Sequence, residues 1–553
     1  MMNGARILLE VMKEQNVDTV FGYPGGAVLN IYDEIYQASD WLTHIITCHE
    51  QGAAHAADGY ARATGKTGVV IATSGPGATN LVTGIANAYL DSVPMVAITG
   101  NVACELIGRD SFQEVDITGI TMPITKHNFM VKDINKLASV VREAFHIATS
   151  GRQGPVLIDI PKDVQKATCE FTPMAAVKAD APLALTKEAL KEAVKLIKSS
   201  HRPFIYAGGG VVSTNAGEEL LRFAETLGAP IGTSMMGLSA VPQAHPLVLG
   251  MTGMHGNYAA TKAMAQSDLI IAVGTRFSDR ATGNKSAFSK DRKVLHIDID
   301  PAEIGKNIPA YLSMVADVKQ ALIALNQMSI KKSDGKWLEE VDALVQSPEN
   351  EAAMNNAVLN PYLVLRGVAK RAPKTACIAT DVGQHQMWTA QYYPFETPRT
   401  FITSGGLGTM GFGMGAAIGA CIGSKQKTVL ITSDGSFHMN LNELATAVDN
   451  RLPLVVLVLN NNVLGMVRQW QTMFFGQRYS STTLNRKTDY CKLADALGAK
   501  GYRVENLSQL DPVLDEVMAL NEPVVVDIHI DRDEMVFPMI PPNGTFDDMI
   551  IRG

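Results

Sequence analysis

Two apolar runs rich in β-branched residues stand out in the last third of the chain, Val429-Leu430-Ile431-Thr432 and Leu454-Val455-Val456-Leu457-Val458-Leu459. No polar residue alternates with them, so both predict strands buried on two faces, as in a parallel sheet. Between them Leu441, Leu444, Ala445 and Val448 recur at helical spacing and predict an amphipathic helix. The same strand–helix–strand rhythm runs back through the chain. Residues 3–165 predict a helix over about 4–15 and strands at Thr19–Phe21 and Ile45–Thr47. The small-residue helix GAAHAADGYARATG follows, then strands at Gly68–Thr73, Met95–Thr99 and Val156–Ile160. Residues 189–330 add Phe204–Ala207, Asp268–Val273 and a strand from Leu295, and a further unit begins at Thr375–Thr380. Such alternation predicts an α/β fold of three doubly wound parallel sheets.

The intervening stretches lack that rhythm. Residues 166–188 are rich in Pro and Ala, and 331–360 are charged and rich in Asn and Ser, so both read as linkers. The expected domains are therefore 1–165, 189–330 and 361–535, with a proline-bearing tail at 536–553. A length of 553 residues calls for about three or four domains. Hydrophobic residues make up 46% and charged residues 19%, a globular balance without disordered bias. A net charge of −7 without a basic block argues against nucleic acid as a partner. The six cysteines form no CxxC pair, which fits a reducing, cytoplasmic compartment and neither a disulfide framework nor a zinc site. No apolar run approaches the ~20 residues of a membrane helix. The opening MMNGARILLEVMKEQ reads as an ordinary helix and not as a signal or transit segment.

The candidate chemistry lies at strand ends. The two apolar runs finish in Ser433-Asp434-Gly435-Ser436 and Asn460-Asn461-Asn462. Ligands of open α/β sheets bind beyond the carboxyl ends of strands, so Asp434 and Asn461, 27 positions apart, are expected to meet there. One carboxylate, one amide oxygen and a nearby carbonyl form a hard-oxygen set of low charge, suited to Mg²⁺ that keeps positions for phosphate oxygens and water. Asp-Gly and Asn-Asn also occur in plain turns; the pair across one such unit is what points to a metal. Gly435 lets the backbone approach a phosphate closely. Glu50 ends a strand ahead of the small-residue helix. It is either a first-turn acid favoured by the helix dipole or a general acid/base in a partly dry pocket. Gly208-Gly209-Gly210 after one strand and Asp298 after a later one suit a dinucleotide, although no full GxGxxG is present and an inert spacer of the same fold would look alike.

The Asp-Gly…Asn-Asn pattern resembles the thiamine diphosphate motif, with Ser433 where its first glycine usually stands. Over essentially the whole chain the sequence resembles the acetohydroxyacid synthase (acetolactate synthase) catalytic subunits. The resemblance rests on FGYPGGA (21–27), HEQGAAHAADGYARATGKTGV (49–69), TSGPGATN (73–80), FQEVD (112–116) and SGRQGPVLIDIPKDVQ (150–165). It continues through GMHG (253–256), RFSDR (276–280), DVGQHQMW (381–388), GLGTMGFG (406–413) and LGMVRQW (464–470). The resemblance implies that Glu50 activates the cofactor, with Pro24 and Gly25 beside its pyrimidine. It implies that Asp434, Asn461 and the carbonyl of Val463 hold Mg²⁺. Gly383, Gln384, His385, Gly408, Gly435 and Ser436 would cradle the diphosphate, joined by Gly465 and Met466, with Met410 beneath the cofactor. Arg152, Gly209, Gly210, Met254, His255, Gly256, Gly274, Arg276, Asp298 and Asp317 match segments that bind FAD, with RFSDR departing from the usual RFDDR at Ser278.

The implied reaction decarboxylates pyruvate and joins the two-carbon fragment to a second pyruvate or to 2-oxobutanoate, the first common step of valine, leucine and isoleucine synthesis. Arg280 would take the acceptor's carboxylate and Trp470 its alkyl group. Phe112, Gln113, Lys162 and Met466 would line the same pocket. Because Glu50 and the metal motif lie in different domains, the family arrangement implies a homodimer or a dimer of dimers. A small regulatory subunit is left open. Two other classes compete: a thiamine–flavin pyruvate oxidase, opposed by RFSDR, Trp470 and GMVRQW, and a non-catalytic subunit, for which Ser433 is the sole hint.

Overall fold

The computed structural model describes residues 1–181, 185–290, 292–330, 335–351 and 358–552. Its strands form three six-stranded parallel sheets, one per expected domain, and a two-stranded antiparallel pair of Met2–Asn3 with Thr168–Cys169. The first runs in the order Thr43–Ile46, Thr19–Gly22, Gly68–Ala72, Met95–Asn101, Pro155–Pro161, His127–Met130. The middle sheet runs Val248–Met251, Ile231–Thr233, Pro203–Ala207, Leu269–Val273, Lys293–Asp298, Leu312–Val315. The third runs Phe401–Ile402, Cys377–Thr380, Thr428–Ser433, Leu454–Asn460, Val524–His529, Lys500–Val504. Continuous apolar strands are what two-sided burial requires: Val69 and Ile71 face one core of the first sheet, Val70 and Ala72 the other.

In each sheet the strand order reverses beside its first strand in sequence, and that reversal opens a crevice at the carboxyl edge. In the first sheet it lies between the ends of Thr19–Gly22 and Gly68–Ala72, where Pro24, Gly25 and the Ser74–Asn80 turn follow. In the middle sheet it lies between Pro203–Ala207 and Leu269–Val273, where Gly208–Gly210 meets Gly274–Arg276. A Cβ on Gly208 would stand 2.1 Å from the Gly274 carbonyl oxygen, so that crossing accepts only glycine. In the third it lies between Cys377–Thr380 and Thr428–Ser433, where Asp381–Gly383 meets Asp434–Ser436.

Several local expectations change. The helix between the two long apolar runs is broken into Asp434–Asn440 and Glu443–Asp449. Within the expected linker 331–360, Lys336–Val345 is a helix. Its Trp337 and Val341 stand one helical turn apart and fill a core against the middle sheet, and Trp337 Nε1 donates to the Pro203 carbonyl at 2.9 Å. That spacing outweighs the polar composition around it. Residues 182–184 of the first expected linker, and 331–334 and 352–357 of the second, lie outside the described residues. The tail laces two domains together. Ile540 N donates to the Met254 carbonyl of the middle domain, and Gln469 Nε2 of the third donates to the Val536 carbonyl. Among the described residues no helix is long and apolar enough to cross a membrane.

The first and third domains meet through two helices, Glu50–Thr64 and Phe412–Ser424. Their faces are built from Gly and Ala, so the backbones touch. A Cβ on Gly59 would lie 2.1 Å from the Ala416 carbonyl oxygen, and one on Gly419 would lie 1.8 Å from that of Ala56. His55 is sealed in this seam with its ring edge-on to Phe412 at 5.2 Å, and burial pulls its imidazole down to about 3. The unfolded chain takes up a proton near pH 6.5 that the folded chain refuses, so stability falls as pH drops below that value. Denaturant titrations at pH 6.5 and 5.5 should show the His55→Gln chain losing less stability on acidification, by up to about 1.4 kcal/mol per pH unit. Equal slopes would show that the imidazole is not held neutral.

Candidate cofactor and active site

Asp434 and Asn461 end neighbouring strands of the third sheet, as expected from the sequence. Asp434 is 3% exposed, and burial pushes its carboxyl up to about 6 while the Asn461 backbone N–H draws it down. Its Oδ1 has no partner, which is costly for a buried carboxylate unless a cation meets it. Asn461 Oδ1 accepts from the Val463 N–H at 3.2 Å. Among the described residues no three His, Cys, Asp or Glu side chains cluster as metal ligands. The donors here are one carboxylate, one amide and backbone carbonyls, a set that fits Mg²⁺ better than a softer ion. Ser433, at φ −134° and ψ 166°, has an extended backbone that any residue adopts, so serine replaces glycine there without strain.

Next to these residues is a cavity of about 70 Å³ lined by Gly383, Gln384, His385, Met410, Asn461, Val463, Gly465 and Met466. The helices Gln384–Tyr392 and Gly465–Phe474 both begin on its wall, offering unpaired backbone N–H groups to an anion. Gln384 Oε1 and His385 Nε2 are buried without partners, and burial pulls His385 down to about 3, leaving it neutral. Gly465 leaves room for the Gln384 side chain on the cavity wall: a Cβ there would lie 1.9 Å from Gln384 Oε1. The Ser436 hydroxyl donates to the Val382 carbonyl at 2.8 Å. A Cβ on Gly435 would fall 2.9 Å from Leu464 Cδ2 and 3.9 Å from Met410 Cε, so a methyl group there would have to push the Leu464 side chain aside.

Met410 also lines a much larger groove of about 1890 Å³ that runs from Gly383 and Gly408 into the middle domain. Its far walls are Arg152, Gly209, Gly210, Met254, His255, Gly274, Arg276, Asp298 and Asp317. Gly256 is absent from the lining; a Cβ on it would lie 2.6 Å from the Thr252 carbonyl carbon, so it is a turn glycine behind the wall. Arg152 pairs with Glu303 at 2.7 Å and bonds Ser92 Oγ at 2.8 Å. Burial pushes Asp298 up to about 6. Asp317 caps the helix Val318–Asn326.

Arg280 and Trp470 come from the middle and third domains and face one another across this groove, Arg280 Cζ lying 5.9 Å from the indole ring. Arg280 also reaches Met254 Sδ at 3.6 Å, and its contact with Asp279 is long at 3.8 Å and exposed. Its fork therefore stays open toward the groove.

The first-domain set assembles elsewhere. Glu50 opens its helix, and Asn80 Nδ2 donates to its Oε2 at 2.9 Å. Gly25 lies against Thr73, where a Cβ would fall 2.5 Å from Thr73 Cβ. Lys162 starts the helix after Pro155–Pro161, and Gln113 takes a positive φ of 57° beside Gly75. Phe112 is 87% exposed. None of Glu50, Pro24, Gly25, Phe112, Gln113 and Lys162 lines either cavity. One residue missed from the sequence holds the first turn of Glu50's helix: Glu443, fully buried in the third domain, accepts from the N–H groups of Cys48 at 3.1 Å and His49 at 3.0 Å. A buried Glu nine residues past Asp434 leaves no mark in the hydrophobic pattern that would show its partner.

Three family profiles of thiamine pyrophosphate enzymes match: the N-terminal TPP binding domain over residues 2–120, the central domain over 190–325 and the C-terminal TPP binding domain over 381–528. The chain is 45% identical to the probable acetolactate synthase large subunit of Methanocaldococcus jannaschii, covering 99% of this chain and 95% of that protein. It is 44% identical to the acetolactate synthase large subunit of Corynebacterium glutamicum, covering 99% and 90%. It is 43% identical to the acetolactate synthase isozyme 2 large subunit of Escherichia coli, covering 99% of both. The space at Gly465 can be tested directly. Gly465→Ala should weaken thiamine diphosphate binding at least about tenfold, read from tryptophan fluorescence of the Trp388-lined cavity, because a methyl group there displaces Gln384. Unaltered affinity would place the diphosphate elsewhere.

Proposed function

We infer the chemistry from one premise: the chain belongs to the thiamine pyrophosphate enzymes, and among them to the acetolactate synthase large subunits. It is a thiamine diphosphate-dependent enzyme that joins a two-carbon fragment from pyruvate to a second 2-oxo acid, giving 2-acetolactate or 2-aceto-2-hydroxybutanoate. The observation that carries the substrate assignment is the Arg280–Trp470 pair over the groove that Met410 and Met466 also line. A guanidinium fork is suited to the acceptor's carboxylate, and the indole beside it offers an apolar face to the acceptor's alkyl group.

The residues present fit the cofactors. Asp434 with its unpaired Oδ1, Asn461 and the Val463 carbonyl would hold Mg²⁺. Gly383, Gln384, His385, Gly408, Gly435, Ser436 and Gly465 would surround the diphosphate, two helix N-termini adding N–H donors. When bound, thiamine diphosphate supplies a carbon acid and an electron sink for the pair of electrons left by decarboxylation. Glu50, held by Asn80, would keep and return the proton at the pyrimidine N1′. The Gly208–Gly274 crossing, Arg152 and Asp298 fit an extended dinucleotide, and we assign FAD to that groove.

Glu50 and its neighbours lie outside the cavities of their own chain, so we propose that a second copy brings its Glu50, Gly25, Phe112, Gln113 and Lys162 to each site, making a homodimer the smallest active unit. The exposed Phe112 supports this. The relatives are named large subunits, which supports a small partner subunit for this chain as well. Six free cysteines support a cytoplasmic location.

Two variants test the assignment. Glu50→Gln should bind thiamine diphosphate yet lose about 10²-fold or more in turnover; full activity would remove Glu50 from the chemistry. Trp470→Leu should still form acetolactate from pyruvate but favour 2-oxobutanoate less in competition, by about 1 kcal/mol or more. An unchanged product ratio would show that Trp470 does not face the alkyl group. Oxygen uptake with pyruvate, in place of acetolactate, would point to an oxidase.

A further inference from the structure

The glycine loop that carries Gly408 and Met410 is exposed at residues 405–408, and its own domain holds it only at the ends. At one end Asp381 accepts from the Gly411 N–H at 2.7 Å; at the other Gln386 Nε2 donates to the Ser404 carbonyl at 2.9 Å. The middle is held from the first domain. Asp91, the last residue of the helix Val82–Asp91, accepts from the Gly406 N–H at 2.7 Å and the Gly405 N–H at 3.0 Å. Asn87, one turn earlier, accepts through Oδ1 from the hydroxyls of Ser404 at 2.6 Å and Thr409 at 3.0 Å.

Behind these contacts is a buried charge cluster. Arg62 pairs with both Asp58 and Asp91, and neither carboxylate side chain is exposed. Asn87 Nδ2 donates to Asp58 at 3.0 Å. Two carboxylates share the Arg62 guanidinium, and Arg276 lies within electrostatic reach of Asp91. Asp91 also takes the loop's two backbone N–H groups, and hydrogen bonds to a buried carboxylate are about twice as strong as neutral ones. The loop is glycine there for a related reason. A Cβ on Gly406 would lie 2.8 Å from Asp91 Oδ1, and one on Gly405 would lie 2.3 Å from Met236 Sδ.

We propose that Asp91, backed by Arg62 and Asn87, is a positioning residue that sets the Gly405–Met410 loop against the thiamine diphosphate site. This rests on the placement of that cofactor beside Met410. Asp91 touches no reacting atom; it acts through the loop. The next residue, Ser92, bonds Arg152 of the large groove, so the same helix end touches both ligand sites.

The full chain tests it. Asp91→Asn should keep one loop contact and set an amide against the other N–H. Expected are a turnover about tenfold lower and a higher thiamine diphosphate concentration at half-saturation, read by tryptophan fluorescence without substrate. The KM for pyruvate and the melting temperature should hold. Ser404→Ala, which removes one contact to Asn87 and the bond from the Thr409 N–H but leaves Asp91 in place, should move the same readouts less. Combined with Met410→Ala, Asp91→Asn should cost no more than the larger single loss, because both act through one loop. Unchanged half-saturation, additive losses, or an activity loss that tracks a lowered melting temperature would each overturn the role of Asp91. Asp434→Ala separates the two levels. If it abolishes binding while Asp91→Asn shifts nothing, only the positioning role fails; if it too leaves binding intact, the cofactor placement fails and takes Asp91 with it.

Discussion

The structure depends on the contact between the helices Glu50–Thr64 and Phe412–Ser424. Glycine and alanine on both faces let two backbones touch, with the rings of His55 and Phe412 packed in the same seam. The contact joins the domain with the proposed proton-handling acid to the domain with the proposed metal ligands. Directional groups then tie the same pair of domains. Glu443 reaches from the third domain to the first turn of Glu50's helix, and Asp91 reaches from the first to the glycine loop of the third. Packing fixes the distance between domains, and these buried hydrogen bonds fix orientation, since each carboxylate tolerates few arrangements of its N–H donors.

All three sheets place the proposed ligand-facing residues where strand order reverses. At those edges the chain spends little side-chain volume and much backbone: Gly208, Gly274, Gly383, Gly435 and Gly465 each clear space that a methyl group would fill. The polar groups that remain are dehydrated. Asp434, Asp298 and Asp381 are each pushed up to about 6 by burial, and His385 is held neutral. A cradle of neutral imidazole, amide and backbone N–H groups suits a diphosphate whose charge is already shared with a divalent cation.

The proposed acceptor site spans a domain boundary. Arg280 belongs to the middle domain and Trp470 to the third, and the C-terminal tail bonds both domains near them through Met254 and Gln469. A pocket shared in this way changes shape when domains shift, so the tail's packing would bear on substrate choice at the proposed site although none of its described residues lines the groove.

The sequence by itself determined the class of fold and most of the polar strand ends. Uninterrupted apolar runs can be buried on both faces only in parallel sheets, and ligand-facing residues of such sheets must follow the strands. Asp434, Asn461, Gly209 and Gly274 were legible for that reason. Ser433 looked like a departure in the sequence, and its extended backbone shows why it carries no strain. The sequence did not reveal the helix at Lys336–Val345, because polar neighbours masked the one-turn spacing of Trp337 and Val341. It did not reveal Glu443, Asp91 or Asn87 as neighbours of the candidate site, because their partners are backbone N–H groups and hydroxyls hundreds of residues away. Periodicity reports which face of an element is buried; it carries no information on which other element covers that face. Only the tertiary structure decided that Arg280 meets Trp470, that Gly256 sits behind the groove wall, and that Glu50's set stands apart from the cavities of its own chain. Those facts depend on how domains dock, and docking is set by shape and by hydrogen bonds between distant segments, which no local pattern records.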